Sequence, residues 1–599
     1  MKRHLIVLLI FLATLTVITY PLVFKINTHI PGFFSTDEPY TFLWDSWRIK
    51  YSFLKGLSVS HTPLIAAPFG LSVGEAAYCP FLWHSYYFLL SMLTSNVFTY
   101  NFQVLLNMLL SAFIAYLFVS YLTKNRLCGV LAGMIFAFSP LQFARMWQHL
   151  GLTYMEWIPL VLFLLILFKE KGTKKHLISF FLGYAFLLSF DYQISYFTTL
   201  AIFVFLLYSL VYGFRSKEKE TFSRELKFAR KATGAVLLAF VVFSFQFLPF
   251  LFTLFNSQQL PSVFNPYRRS FEDLFMQSAK PLSYFLPSPM HPVFGKFTER
   301  LVGSSLYGMS FTEHVLYLGW VGIILAFIAI RSTKGKNEHG EGFYIRFFLL
   351  LALVSWLFSQ PPWWKMGPVK IYMPSFFMYK IIPMYRAYCR FGIMVMFSVA
   401  VLAAFGFKYI IEKYKNKKAR VGLAMIFCGL VLFEFWNYPP LRVIDVSVAP
   451  EVYSWINSRA GDFAIAEYPL DVNSPNEFYK FYQTKHGKKM IDGTVPGTSI
   501  NEISRSLVNL SELDTAKALR WMEVRYALVH RDDYLNTDLV EQIEELDKIP
   551  RNTGLKFIRS FLAQRCRQEE IHCTIEAGPI DVYEIIAEPA EPMLEDKER

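Results

Sequence analysis

Apolar runs long enough to cross a bilayer recur through the first 437 residues, separated by short basic stretches, and no other feature restricts the fold as much. The candidate spans are 5–24, 100–122, 126–141, 154–169, 177–190, 194–213, 232–255, 313–331, 343–360, 391–411 and 419–437, which makes about eleven crossings. The run 81–93 is shorter and carries His84 and Ser85, so it reads as a helix lying at the interface. The opening "MKRHLIVLLIFLATLTVITYPLV" has the basic start and apolar core of a signal peptide. Its apolar stretch is long and no small-residue cleavage site follows, so it reads as a retained first helix. The expected fold class is therefore mainly α: a polytopic membrane protein over residues 1–437.

The formal charge of +13 sits in short loops rather than on one soluble face, which argues against a nucleic-acid partner and marks loops on the cytoplasmic side. With Lys2 and Arg3 inside, alternation places "TKNR" (123–126), "KEKGTKKH" (169–176), "RSKEKETFSRELKFARK" (215–231), "RSTKGKNEHGEG" (331–342) and "KYKNKKAR" (413–420) on that same side. A miscounted span would have scattered these basic runs over both faces. The outward segments are then 25–99, 142–153, 191–193, 256–312, 361–390 and everything after about 438.

Beyond Pro439 the pattern changes. "EVYSWINSRA" and "DTAKALRWMEV" have helical spacing, while "DFAIAEYPL", "RYALVHR" and "IDVYEII" read as strands, so 438–599 is expected to form an extracytoplasmic α/β domain. The six cysteines show no metal-binding spacing. Cys128, Cys389 and Cys428 read as small buried hydrophobes, and Cys566 and Cys573 as a disulfide pair if the tail faces an oxidising compartment.

Acids at the hydrocarbon boundary are costly unless solvated, paired or used. Four outward ones stand out: Asp37 and Glu38 in "FFSTDEPYTFLWDSW", Glu156 in "HLGLTYMEWIPL" and Asp191 in "SFDYQISYF". Adjacent carboxylates in an aromatic loop repel one another unless a cation or substrate compensates, which singles out Asp37 with Glu38. Asp191 and Glu156 also have a plain reading as solvated interfacial acids. Asp45 is expected to pair with Arg48 or Lys50. Outward cations run against the inside bias: Arg145 and His149, Arg268 and Arg269, Arg386 and Arg390. Arginines at such positions suit forked hydrogen bonds to a phosphate group, and equally snorkelling to lipid head groups.

The order of "TDEPYTFLWDSW", "TPLIAAPFGLS" (62–72), "LAGMIFAFSPLQFARMWQHLGL" (131–152), "VLYLGWVG" (315–322) and "YQTKHGKKMIDG" (482–493) resembles the GT-C superfamily of integral membrane glycosyltransferases, in the protein mannosyltransferase and arabinose-transferase-like branch. The resemblance implies a hexosyl or pentosyl donor carried on a polyprenyl phosphate, transfer at the outer face of the cell membrane, and a glycan, lipid or protein acceptor. Asp37 matches the first-loop catalytic carboxylate and Glu38 its neighbour, with room beside them for a divalent cation. A second acid often follows the "SP" helix end in this superfamily, and here that region offers His149 and Glu156. Arg145, His149, Arg268 and Arg269 are the expected donor-phosphate contacts. Oligosaccharyltransferases share the fold with a WWD-type motif in the outer domain, and none is found here. The competing reading is a lipid-linked saccharide transporter or a non-catalytic surface-polymer assembly protein.

Overall fold

The computed structural model describes residues 2–32, 38–58, 61–72, 81–246, 270–302, 311–332, 340–383, 385–437, 443–470, 475–491, 499–535, 540–561, 572–574 and 579–588. The chain is mainly helical. Among the described residues, four helices are long and apolar enough to cross a membrane: Asn96–Thr123, Tyr192–Arg215, Glu341–Ser359 and Tyr388–Ile411. Arg126–Ala137 and Pro140–Trp147 pass together as a fifth segment bent by 41°. The bend falls where Pro140, the first residue of the second helix, cannot donate to the preceding turn.

The remaining apolar runs also fold as helices, but shorter or more charged ones. Trp157–Lys171 and Lys174–Leu188 have 15 residues each, Lys2–Ile18 has 17 and Trp320–Ser332 has 13. Lys219–Val242 has 24 residues and a strongly charged first half. The span expected over 313–331 therefore begins seven residues late, at Trp320, because a separate short helix, Phe311–His314, and an extended stretch precede it.

Local signals place the helix ends. Ser95 caps Asn96–Thr123 by accepting from the Phe98 N–H at 3.0 Å, and Asn125 caps the next helix through the Leu127 N–H at 3.0 Å. The 392–411 helix crosses Trp320–Ser332 at Gly406, where an added Cβ would lie 1.8 Å from the Leu325 carbonyl oxygen, so only glycine admits that approach.

Residues after 443 build a five-stranded mixed sheet in the order Leu555–Phe561, Ile580–Ile585, Val524–His530, Ala464–Tyr468, Lys489–Met490. Helices Glu451–Asn457 and Leu513–Trp521 overlap the segments read as helical, and three of these strands overlap those read from sequence. A second sheet has Val443–Asp445 as its middle strand, flanked by His572–Thr574 in parallel and by His29–Pro31 in antiparallel fashion. The segment that follows the first helix is thus stitched to strands of the C-terminal residues. Packing follows the same path: one apolar cluster runs from Phe11, Val104 and Trp147 in the bundle through Tyr40 to Tyr453, Ile465 and Tyr479 of the sheet unit.

Candidate functional site

Six segments deliver charged or polar side chains to one end of the bundle. Glu38 opens the helix Glu38–Lys55, and Arg145 lies in the last turn of Pro140–Trp147. His149 follows in a left-handed conformation, φ 71°, uncommon for a residue with a Cβ and concentrated at functional sites. Asp191 is the N-cap of Tyr192–Arg215, its Oδ1 accepting from the Ile194 N–H at 2.6 Å. Glu313 sits in Phe311–His314, and Arg390 in the tight turn Tyr388–Phe391 that enters the 392–411 helix.

Glu313 is the hub. Its Oε1 accepts from Arg390 Nε at 2.8 Å and lies 3.1 Å from His149 Nε2; its Oε2 lies 2.9 Å from Arg145 Nη2 and accepts from the Cys389 thiol at 3.1 Å. Arg390 also donates from Nη1 to Gln193 Oε1 at 2.7 Å and meets His149 Nε2 through Nη2 at 2.7 Å. The other ring nitrogen, Nδ1, contacts Glu38. An Nδ1–H toward Glu38 suits both ring states: a neutral ring accepts at Nε2 from Arg390, a protonated one donates there to Glu313.

The cluster has a closed side and an open side. The side chains of Arg145 and Glu313 are 0% and 2% exposed, whereas Glu38 and His149 keep 28% and 23%. Arg145 Nε and Nη1 have no hydrogen-bond partner among the described residues. Burial opposes ionisation of Glu38, yet the His149 contact and the Arg390 charge together hold its carboxyl below the usual range. Asp191 goes the other way: burial pushes its carboxyl up to about 7, against the N–H groups of Ile194 and Gln193 and the charge of Arg390. Gly151 lies against it, and a Cβ there would sit 2.7 Å from Asp191 Oδ2.

Of the residues singled out from sequence, the structure brings together Glu38, Arg145, His149, Asp191 and Arg390, while Arg386 pairs with Asp273. Both His149 nitrogens are engaged within the protein. Glu156 lies elsewhere, buried before Trp157 with Ser111 Oγ at 3.4 Å. Asp37, Arg268 and Arg269 fall outside the described residues. Asp45 pairs with Arg48, as expected, at 2.9 Å from its Nε. Among the described residues no three His, Cys, Asp or Glu side chains converge as metal ligands, and the Glu38 carboxylate is already engaged by His149. Asp37, the other member of the expected metal pair, lies outside the described residues.

Sequence reasoning missed Glu313, which was absorbed into an apolar run although an acid at the head of such a run is itself a signal. Gln193 carried no signal. Cys389, read as apolar filler, is buried but hydrogen-bonded to the hub.

No family model and no curated protein matches the chain. Solved structures do. The arabinofuranosyltransferase AftD from Mycobacteria superposes with a TM-score of 0.55 at 14% identity, covering 99% of this chain and 42% of that one. The Archaeoglobus fulgidus oligosaccharyltransferase in its apo form gives a TM-score of 0.51 at 10% identity, covering 92% of this chain and 73% of that one. Its complex with zinc and sulfate gives 0.51 at 10% identity, with 89% and 68% covered. The chain shares the fold of these solved structures, and it spans about two fifths of the mycobacterial protein.

Proposed function

We propose that the protein is a membrane glycosyltransferase that moves a sugar from a polyprenyl-phosphate donor to an acceptor hydroxyl on the extracytoplasmic face, inverting the anomeric centre, with Asp37 as general base. One observation carries the reading. The carboxylate next in sequence to Asp37, Glu38, stands at the solvent side of a buried arginine–glutamate–histidine cluster on a fold shared with solved glycosyltransferases.

The chemistry follows from what such a cluster does. The acceptor oxygen forms a bond to the anomeric carbon as the bond from that carbon to the phosphate oxygen breaks, and Asp37 takes the acceptor's proton. The departing polyprenyl phosphate carries the negative charge. Fixed positive charge nearby lowers the barrier because it needs no rearrangement as that charge develops. Arg145 and Arg390 supply it from the protein side, with Arg268 and Arg269 from the outer loop. Glu38 keeps His149 oriented, and Asp191 and Glu156 are the auxiliary acids. The N-terminus is cytoplasmic, about eleven helices cross the membrane, and the 438–599 unit lies outside.

The test is incubation of purified protein with radiolabelled polyprenyl-phosphate sugars and membrane extract. Label moves to an acceptor in the wild type. No movement from any donor, or reporter fusions that place residue 37 in the cytosol, overturns the reading. The transporter alternative draws on Glu156, an acid buried in the bundle away from the cluster. It predicts proton-coupled flux of a lipid-linked saccharide, lost in Glu156→Gln, without any transfer.

A further inference from the structure

The helix that begins at Glu38 is held on two sides, and the second hold lies in the sheet unit. Tyr40, Leu43 and Trp44 form the buried stripe of Glu38–Lys55, at the i, i+3, i+4 spacing of a single helix face. That stripe packs on Pro475–His486. The Tyr40 ring lies 4.5 Å from that of Phe478 and 5.4 Å from that of Phe481. Gln483, fully buried, joins three segments: it accepts from Trp44 Nε1 at 2.8 Å and donates from Nε2 to the carbonyls of Leu64 at 2.6 Å and Lys488 at 2.8 Å. Leu64 is itself fixed to the edge of the five-stranded sheet, since the Met490 N–H donates to its carbonyl at 2.9 Å and the Met490 carbonyl accepts from the Ala67 N–H at 2.9 Å.

We infer that Gln483 is a positioning residue for transfer: by holding Trp44 it fixes the helix whose first turn presents Glu38 to His149. The inference rests on the functional reading above. Its physical core is that an aromatic stripe tolerates small slides and rotations, whereas one amide bonded to an indole N–H and two carbonyls selects a single register. Losing that amide leaves the Trp44 indole N–H buried without its acceptor and takes one donor each from the Leu64 and Lys488 carbonyls, of which Leu64 keeps the Met490 N–H. A catalytic group displaced by about 1 Å loses on the order of 10²-fold in rate.

The experiment compares Trp44→Phe, Gln483→Leu, the double variant and Gln483→Glu by steady-state transfer with the labelled donor. Expected for each of the first two is a fall in kcat of about tenfold or more with the donor KM unchanged. The double variant falls no further than Gln483→Leu alone, because that change already removes the bond to Trp44 along with the two to the carbonyls. Gln483→Glu retains an acceptor for Trp44 and keeps more kcat than Gln483→Leu. Hydrogen–deuterium exchange supplies a readout independent of activity: amides of 38–55 exchange faster in the variants, while those of 96–123 do not. An unchanged kcat in folded Trp44→Phe and Gln483→Leu, a change confined to KM, or losses that add in the double variant overturn the inference. A wild type that transfers nothing sinks the functional reading instead, and the exchange comparison then decides whether Gln483 holds the helix at all.

Discussion

Both ends of the helix bundle carry half-hidden charge, and the two ends solve the problem differently. At the end with the basic loops, each charge stays among a few near neighbours: Lys169 and Arg224 meet Glu225, Lys408 meets Glu341 and Glu412 and donates to the Thr123 carbonyl at 2.7 Å, and Glu170 accepts from the Tyr121 and Tyr344 hydroxyls. Lys169 also lies 5.1 and 5.2 Å over the rings of Phe228 and Phe343. At the other end a single carboxylate, Glu313, is shared by two arginines and a histidine, and the next carboxylate, Glu38, remains partly exposed. Buried charge alone therefore does not mark a site. Two arginines and a histidine converging on one buried carboxylate do, together with an opening on one side, because they leave donors and carboxylates with capacity for something else.

That contrast can be broken in five places. The largest expected effect is Asp37→Asn, which lowers transfer by about 10²- to 10⁴-fold at normal membrane abundance, measured with labelled donor; an unchanged rate removes Asp37 from the chemistry. Next is Glu313→Gln, which leaves Arg145 and Arg390 without their shared counter-charge. It costs about 3–5 kcal/mol in the thermal unfolding of detergent-purified protein, besides activity. Third, the Asp191 carboxyl is pushed up to about 7, so the rate profile is expected to bend near neutral pH, and Asp191→Asn, which keeps the cap oxygen, flattens that bend. Gly151→Ala, by crowding Asp191 Oδ2, moves the bend without abolishing it.

The fourth effect is smaller and has a definite sign. The folded pKa of Glu38 lies below its ordinary value of roughly 4.3, so its link to His149 contributes stability above that pH and loses it as pH falls through the folded pKa. The difference in Tm between the wild type and His149→Asn should shrink as pH falls below roughly 4.3; a gap that widens there reverses the assignment. The smallest belongs to the opposite end. Replacing Lys169 with Met and Glu225 with Leu together should change stability by no more than ~1 kcal/mol and leave transfer intact, since a buried ion pair is often replaceable by apolar groups.

The bundle was legible because runs of Leu, Phe and Ile need no distant partner to declare themselves, and every expected run folds at least in part as helix. The strands of the C-terminal unit were legible for a similar local reason: "DFAIAEYPL" and "RYALVHR" are compact and β-prone. What stayed hidden is contact between distant parts of the chain. Nothing around Trp44 announces Gln483, and nothing in "TEHVLYLGWVG" tells Glu313 that Arg145, His149 and Arg390 converge on it. His149 was visible as an outward polar residue, but its engagement on both nitrogens depends on a left-handed backbone that no composition reveals.

The strand pairing of His29–Pro31 with Val443–Asp445 bears on how the protein is made. A ribosome extending a chain at about 5–20 residues per second needs roughly 20–80 s to travel from one partner to the other. For that interval the early strand has exited without its mate, its peptide groups open to any passing β-prone sequence. Nascent chains stalled before the late segment should be the aggregation-prone species, and the ones that surveillance proteases remove first.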